Sequence, residues 1–127
     1  MITITKEFHF EAAHFLPDHP GLCKNLHGHS YKMLVTVSHA NKKYDPDTKM
    51  AIDFGTLKAI VNKYIVDRVD HSHLNKFFNV PTAEYMVDHF AEILQFAFAK
   101  EKLQVNLEKL SLWETLGSEA TWTPAFG

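Results

Sequence analysis

The chain has 127 residues, a formal net charge of −2, nine histidines and one cysteine. This length predicts a single domain over residues 1–127. The charge argues against a nucleic-acid-binding protein, which would normally carry a basic surplus. One cysteine excludes an internal disulfide, and no apolar run is long enough to span a bilayer. Together with an N-terminus that lacks the form of a signal peptide, these features predict a cytoplasmic protein with no nucleic-acid or membrane partner.

The first half of the chain is rich in strand-like sequence. β-Branched and aromatic residues with partial alternation predict a strand over 2–14, and a loop with prolines and a glycine follows over 15–26. The clearest strand covers 29–40. Turn residues at 41–49 then lead to a short predicted strand, 50–53, which would complete a hairpin.

Two helices and a second hairpin are predicted in the rest of the chain. Asp53 would cap a helix over 54–67, and Thr82 would cap another that ends near 101, with a loop at 68–81 between them. Residues 104–115 and 118–123 predict a closing hairpin that turns at Gly117. The order ββααββ favours an α+β fold with an antiparallel four-stranded sheet.

Three histidines, His14, His27 and His29, lie in the first thirty residues. Because side chains alternate along a strand, the pair His27-Gly-His29 would place both imidazoles on one face. His14 ends a predicted strand in an apolar context, where a buried histidine needs a partner. Three neutral imidazoles with one open position make a catalytic zinc site, although iron, nickel and copper also accept such ligands. For the pair alone, the alternative is two surface histidines.

Cys23 lies four residues before the histidine pair. It can be a fourth ligand that closes the site, an inert small hydrophobe, or a thiolate base beside the metal. Asp70 and His71 can form a proton-transfer pair in which the carboxylate orients the imidazole; the alternative is a solvated histidine near a helix end.

Two glutamates are further candidates. Glu114 follows Leu110-Ser-Leu-Trp113 near the end of a strand, where a half-buried carboxylate would need donors. An amidine-like heterocycle offers two N–H groups that match a carboxylate well. Glu84, in the first turn of the second helix, is explained by the helix dipole alone.

Taken together, several motifs resemble the 6-pyruvoyl-tetrahydropterin synthase family, which includes the bacterial 6-carboxy-tetrahydropterin synthases of queuosine biosynthesis. The resemblance covers nearly the whole chain and is strongest at residues 10–14, 23–31, 50–54, 70–75, 81–84 and 113–115. It implies the tunnelling fold, or T-fold, with two helices on one face of the sheet. It also implies a homohexamer, built as a dimer of trimers, with active sites between subunits.

The resemblance also implies roles for individual residues. His14, His27 and His29 would hold Zn²⁺. Cys23 would be the general base, with Asp70 and His71 completing the proton relay. Glu114 would anchor the pyrimidine edge of the pterin, and the weaker candidates for the same pocket are Thr82, Glu84 and Thr115.

The implied activity is that of a lyase acting on 7,8-dihydroneopterin triphosphate. The compact spacing between Cys23 and His27 resembles the bacterial carboxypterin branch, whose products are 6-carboxy-5,6,7,8-tetrahydropterin, acetaldehyde and triphosphate. Three alternatives stay open: a 6-pyruvoyl-tetrahydropterin synthase of the biopterin pathway, a non-catalytic metal- or pterin-binding module, and a zinc hydrolase that would not need the thiol.

Overall fold

A computed structural model describes residues 1–125, so the last two residues of the predicted domain lie outside the described residues. A five-stranded sheet carries two helices on one face. The strands are β1 (Thr3–His14), β2 (His27–His39), β3 (Ser72–His73), β4 (Val105–Glu114) and β5 (Glu119–Trp122), in the spatial order β3-β1-β2-β4-β5. Within residues 1–125, no helix has the length and apolar character needed to cross a membrane. The α+β class is confirmed.

Alternation along β1 and β2 creates the buried face of the sheet. Phe8, Phe10 and Ala12 are buried, whereas the residues between them are exposed. β1 runs antiparallel to β2, so Phe10 lies opposite Tyr31, which is also buried. The period of two therefore directs one set of side chains toward the helices and leaves the other, more polar set on the open face.

The two helices complete the core. Helix α1 covers 54–69 and includes a π-helical turn at Asn62–Val66; helix α2 is Ala83–Lys100. Asp53 caps α1 by accepting a hydrogen bond from the backbone N–H of Thr56 at 3.0 Å, and Thr82 caps α2 by accepting from that of Tyr85 at 3.2 Å. Both predicted caps are confirmed. The buried side chains of α2 recur at helical spacing: Met86, Val87, Phe90, Ala91, Leu94, Ala97 and Phe98.

Two details of the predicted sheet were wrong. Residues 50–53 do not form a strand, because β2 already pairs with β1 on one side and with β4 on the other. The sheet also has five strands rather than four, since β3 forms inside the predicted 68–81 loop. This two-residue strand runs parallel to β1, with Ala12 opposite Ser72, so the sheet is mixed rather than purely antiparallel.

Candidate metal and active site

The register between β1 and β2 brings the three predicted histidines together. His14 lies opposite His27, and His29 lies opposite Ala12, all on the helix-covered face. One ligand nitrogen from each histidine lies within 4.8 Å of the others. The Nε2 atoms of His14 and His27 are 3.1 Å apart. His14 is fully buried, while His27 and His29 are half-buried.

Hydrogen bonds at Nδ1 set the tautomers of two of these histidines. The Nδ1 of His14 is 2.9 Å from the carbonyl oxygen of Pro81, and the Nδ1 of His27 is 2.7 Å from that of Asn25. Because a carbonyl only accepts, each Nδ1 carries the proton and donates it, which leaves a lone pair on each Nε2. Two lone pairs 3.1 Å apart repel each other, and a cation bound by both removes that repulsion.

His29 completes this arrangement. Its Nδ1 lies 2.9 Å from the hydroxyl oxygen of Thr115. Its Nε2 is buried and makes no hydrogen bond within residues 1–125, although Glu114 Oε1 is 3.2 Å away. A buried polar nitrogen without a partner is rare and indicates a missing ion or water. The three imidazoles therefore fit a metal ion through their Nε2 atoms.

Burial favours the neutral form of two of these imidazoles, those of His14 and His29. Burial, together with the neighbouring His29 and His27, lowers the pKa of His14 from 6.5 to about 4. Burial also lowers the pKa of His29, although the carboxylate of Glu114 opposes part of this effect. A histidine must be unprotonated to bind a metal, so the lowered pKa values keep ligand atoms available at neutral pH.

Sequence reasoning missed a tyrosine beneath the histidines. Tyr31 is buried, its hydroxyl oxygen lies 3.3 Å from His14 Nδ1, and its ring stacks on Phe10 with centroids 4.9 Å apart. Burial raises the pKa of Tyr31, and the Glu114 carboxylate raises it further, so the hydroxyl keeps its proton. The available signal was spacing, since a residue two positions after His29 in a strand shares its face.

A cavity of about 280 Å³ opens beside Glu114. Its lining includes three of the predicted substrate residues: Glu114 and, at the start of α2, Thr82 and Glu84. A third glutamate, Glu119, lines it as well, and Glu84 forms no ion pair within residues 1–125. Thr82 uses its hydroxyl to cap the helix, whereas Thr115 directs its hydroxyl to His29.

Asp70 and His71 form the predicted pair on a loop docked against β1. Asp70 Oδ1 accepts a hydrogen bond from the backbone N–H of Glu11 at 2.9 Å and lies 3.1 Å from His71 Nδ1. The Glu11 N–H, followed by the His71 side chain, lowers the pKa of Asp70. The side chain of His71 is 80% exposed and borders a second cavity, of about 410 Å³, together with Glu11 and Ser30 of the open face.

His71 and His29 both line this second cavity, but among residues 1–125 polar contacts do not connect the Asp70–His71 pair to the three histidines. No hydrogen bond or ion pair joins Asp70 or His71 to the three histidines within the described 125 residues. Cys23 lies in a 3-10 turn, Leu22–Lys24, and its half-buried thiol is free. Its carbonyl accepts a hydrogen bond from the N–H of Leu16 at 2.7 Å, which ties this turn to the chain just beyond His14.

The fold and the site define an α+β protein in which a three-histidine centre, able to hold a metal ion, lies beside a carboxylate-lined cavity. A family model described as 6-pyruvoyl tetrahydropterin synthase matches residues 3–125, and the chain belongs to this family. The family resemblance of the motifs is thus confirmed.

Relatives and solved structures agree with this assignment. The chain is 37% identical to the 6-carboxy-5,6,7,8-tetrahydropterin synthase of Haemophilus influenzae, over 91% of this chain and 94% of that protein. It is also 37% identical to the protein of the same name from Synechocystis sp., over 96% and 93%. The structure of Caenorhabditis elegans 6-pyruvoyl tetrahydropterin synthase matches with a TM-score of 0.82 and 27% identity, over 98% of this chain and 96% of that one. The predicted T-fold is confirmed.

Proposed function

We propose that this chain is a zinc-dependent lyase of queuosine biosynthesis. With water, it would convert 7,8-dihydroneopterin triphosphate to 6-carboxy-5,6,7,8-tetrahydropterin, acetaldehyde and triphosphate. The observation that carries the proposal is the convergence of three Nε2 lone pairs beside a cavity lined by three carboxylates. The names of the relatives at 37% identity support the carboxypterin product. Bound zinc would supply Lewis acidity toward the oxygens of the substrate side chain.

The geometry favours a division of roles between the two glutamates. The pyrimidine edge and the reacting side chain are at opposite ends of the two-ring pterin. Glu114 Oε1 is only 3.2 Å from His29 Nε2, so its carboxylate lies next to the atoms that would hold zinc. Glu84, on α2, lines the same cavity and would accept the two N–H groups of the ring. Glu114 would then move a proton at the substrate side chain.

The proton relay would be completed by a neighbouring copy of the chain. The Cys23 turn is tied to the end of β1, where the three histidines lie, but His71 lines a cavity on the open face of the sheet. A homohexamer built from two trimers could bring the Asp70–His71 pair of one copy to the Cys23 thiol of another. The thiolate would remove a proton from the carbon framework, and His71, oriented by Asp70, would return one.

A 6-pyruvoyl-tetrahydropterin synthase activity is the second candidate. It is favoured by the likeness to the Caenorhabditis elegans protein of that name. The two activities share a substrate and differ in whether the three-carbon side chain is cleaved or retained. The short Cys23-to-His27 spacing supports cleavage.

Incubation of the zinc-loaded protein with 7,8-dihydroneopterin triphosphate, followed by mass analysis, tests the proposal. Acetaldehyde and carboxypterin are expected; pyruvoyl-pterin would support the second candidate, and neither product would refute both. Cys23→Ala should retain zinc and lose the product, and full activity in that variant would contradict the mechanism. His29→Ala should lose zinc, whereas His39→Ala, at the far end of β2, should keep it as the matched control.

A further inference from the structure

Thr115, the residue after β4, has an unfavourable backbone conformation. Its φ is +63°, in the left-handed region. Four non-glycine residues within 1–125 have a positive φ, and Thr115 is the β-branched one among them. A branched Cβ makes this region especially unfavourable, and such residues concentrate at functional sites where the surrounding structure imposes the conformation.

Hydrogen bonds on both sides hold the Thr115 backbone in place. Its N–H donates to the carbonyl of Ser30 in β2 at 3.1 Å, and the N–H of Glu114 donates to the carbonyl of Ser118 at 3.0 Å. A glycine would adopt the same conformation without strain. What threonine adds is a hydroxyl, and its oxygen lies 2.9 Å from the Nδ1 of His29.

The nitrogen of His29 that carries the proton decides whether Nε2 is free to bind a metal, and the Thr115 hydroxyl can pair with Nδ1 in either tautomer because it both donates and accepts. When Nδ1 carries the proton and Thr115 accepts it, Nε2 has a lone pair for a metal. When the proton is on Nε2, it faces Glu114 Oε1 at 3.2 Å instead, and His29 cannot bind a metal. His14 and His27 donate to main-chain carbonyls, which always accept, whereas within residues 1–125 the Nδ1 of His29 has no main-chain partner and depends on the Thr115 side chain.

We propose that Thr115 is a positioning residue that orients His29 and accepts its Nδ1 proton when Nε2 binds a metal, a role that rests on the metal site proposed above. Removal of the hydroxyl leaves the Nδ1–H of the metal-bound imidazole without this acceptor. The strained backbone at Thr115 is the cost of placing that hydroxyl. Metal affinity and the stability of the metal-free protein should therefore change in opposite directions when Thr115 is replaced by glycine.

Three substitutions in the full chain separate these effects. Thr115→Val keeps the branched shape without the hydroxyl, Thr115→Ser keeps the hydroxyl, and Thr115→Gly removes both the hydroxyl and the strain. In competition titrations against a chelator, the valine and glycine variants should bind Zn²⁺ about 10-fold more weakly, with the serine variant close to the wild type. The metal-free glycine variant should melt about 3 °C higher than the wild type. Thr48→Val, in the loop that follows β2, is the control for loss of a threonine hydroxyl.

The outcomes distinguish this inference from the proposed function. The role of Thr115 would be overturned if the valine and glycine variants bound Zn²⁺ as tightly as the wild type, or if the serine variant bound it as weakly as the valine variant. Either result would leave the lyase proposal intact. A wild-type chain that binds no metal would overturn both. Weaker Zn²⁺ binding by the valine and glycine variants, with binding close to wild type in the serine variant, would support the role of the hydroxyl. A higher melting temperature of metal-free Thr115→Gly would support the inference that the Thr115 conformation lowers stability while the hydroxyl raises metal affinity.

Discussion

The stability of the metal-free protein should depend on pH through His14. This side chain is fully buried, and its pKa is lowered from 6.5 to about 4 by burial and by the two neighbouring imidazoles. His14→Asn is an informative replacement, because an amide nitrogen at the place of Nδ1 can still donate to the Pro81 carbonyl while the side chain no longer titrates. The difference between wild type and variant isolates the proton on His14.

The sign follows from proton binding in the two states. Between pH 6.5 and 4, the unfolded chain binds a proton at His14 and the folded chain does not, so the free energy of unfolding falls as the pH falls. With 1.36 kcal/mol for each pH unit of pKa difference, the wild type should lose about 2 kcal/mol between pH 7.5 and 4.5 that the variant keeps. The pKa of Asp70 is also lowered in the folded state, from an ordinary value of 3.8. The stability that this carboxylate provides is therefore lost only at a pH more acidic than this range.

Urea unfolding at half-unit steps of pH, in chelator and at constant protein concentration, measures this difference. As the pH falls, the wild-type free energy of unfolding should fall more steeply than that of His14→Asn, and the two curves should run parallel above about pH 7. Parallel curves between pH 7.5 and 4.5 would show that His14 accepts a proton as readily in the folded state as in the unfolded one. The account of a neutral, buried ligand would then be wrong.

Three further predictions follow from the site and the fold. Chelation of metal from the zinc-loaded protein should lower the melting temperature, and free Zn²⁺ at 100 times its dissociation constant should restore about 2.7 kcal/mol; equal melting curves would argue against a bound ion. Glu84→Gln should mainly raise KM, and Glu114→Gln should mainly lower kcat, in steady-state assays; the reverse pattern would return the pyrimidine edge to Glu114. Asp53→Ala should cost about 1 kcal/mol by removing the α1 cap while leaving turnover unchanged, and an unaltered denaturation midpoint would contradict the capping role.

Much of the site could be predicted because it depends on local periodicity. His27 and His29 share a face for the same reason that Tyr31 and Met33 do, since side chains alternate in a strand. The two helix starts were also local, because Asp53 and Thr82 each satisfy an N–H only three residues away. Such signals lie within one turn or one strand and need no knowledge of the rest of the chain.

The wrong and missed features depend on distant partners. Residues 50–53 have strand-like sequence, but β4, which lies more than fifty residues later, occupies the edge of β2 that they would need. The short strand at Ser72 forms because β1 offers an unpaired edge at Ala12. Neither outcome is encoded near the residues concerned, since strand pairing is a competition among segments for the same backbone groups.

The sequence by itself therefore determined the candidate metal ligands, the helix boundaries to within a few residues and the family, all through short-range spacing and motifs. Only the tertiary structure decided how the candidate residues are grouped. It placed Glu114 against His29, and it placed His71 at a cavity that Glu11, Ser30 and His29 also line. It also joined Thr115 to His29 across 86 residues of sequence. These contacts follow from the sheet register and from the docking of loops, which depend on residues far apart in the sequence and cannot be predicted from local spacing.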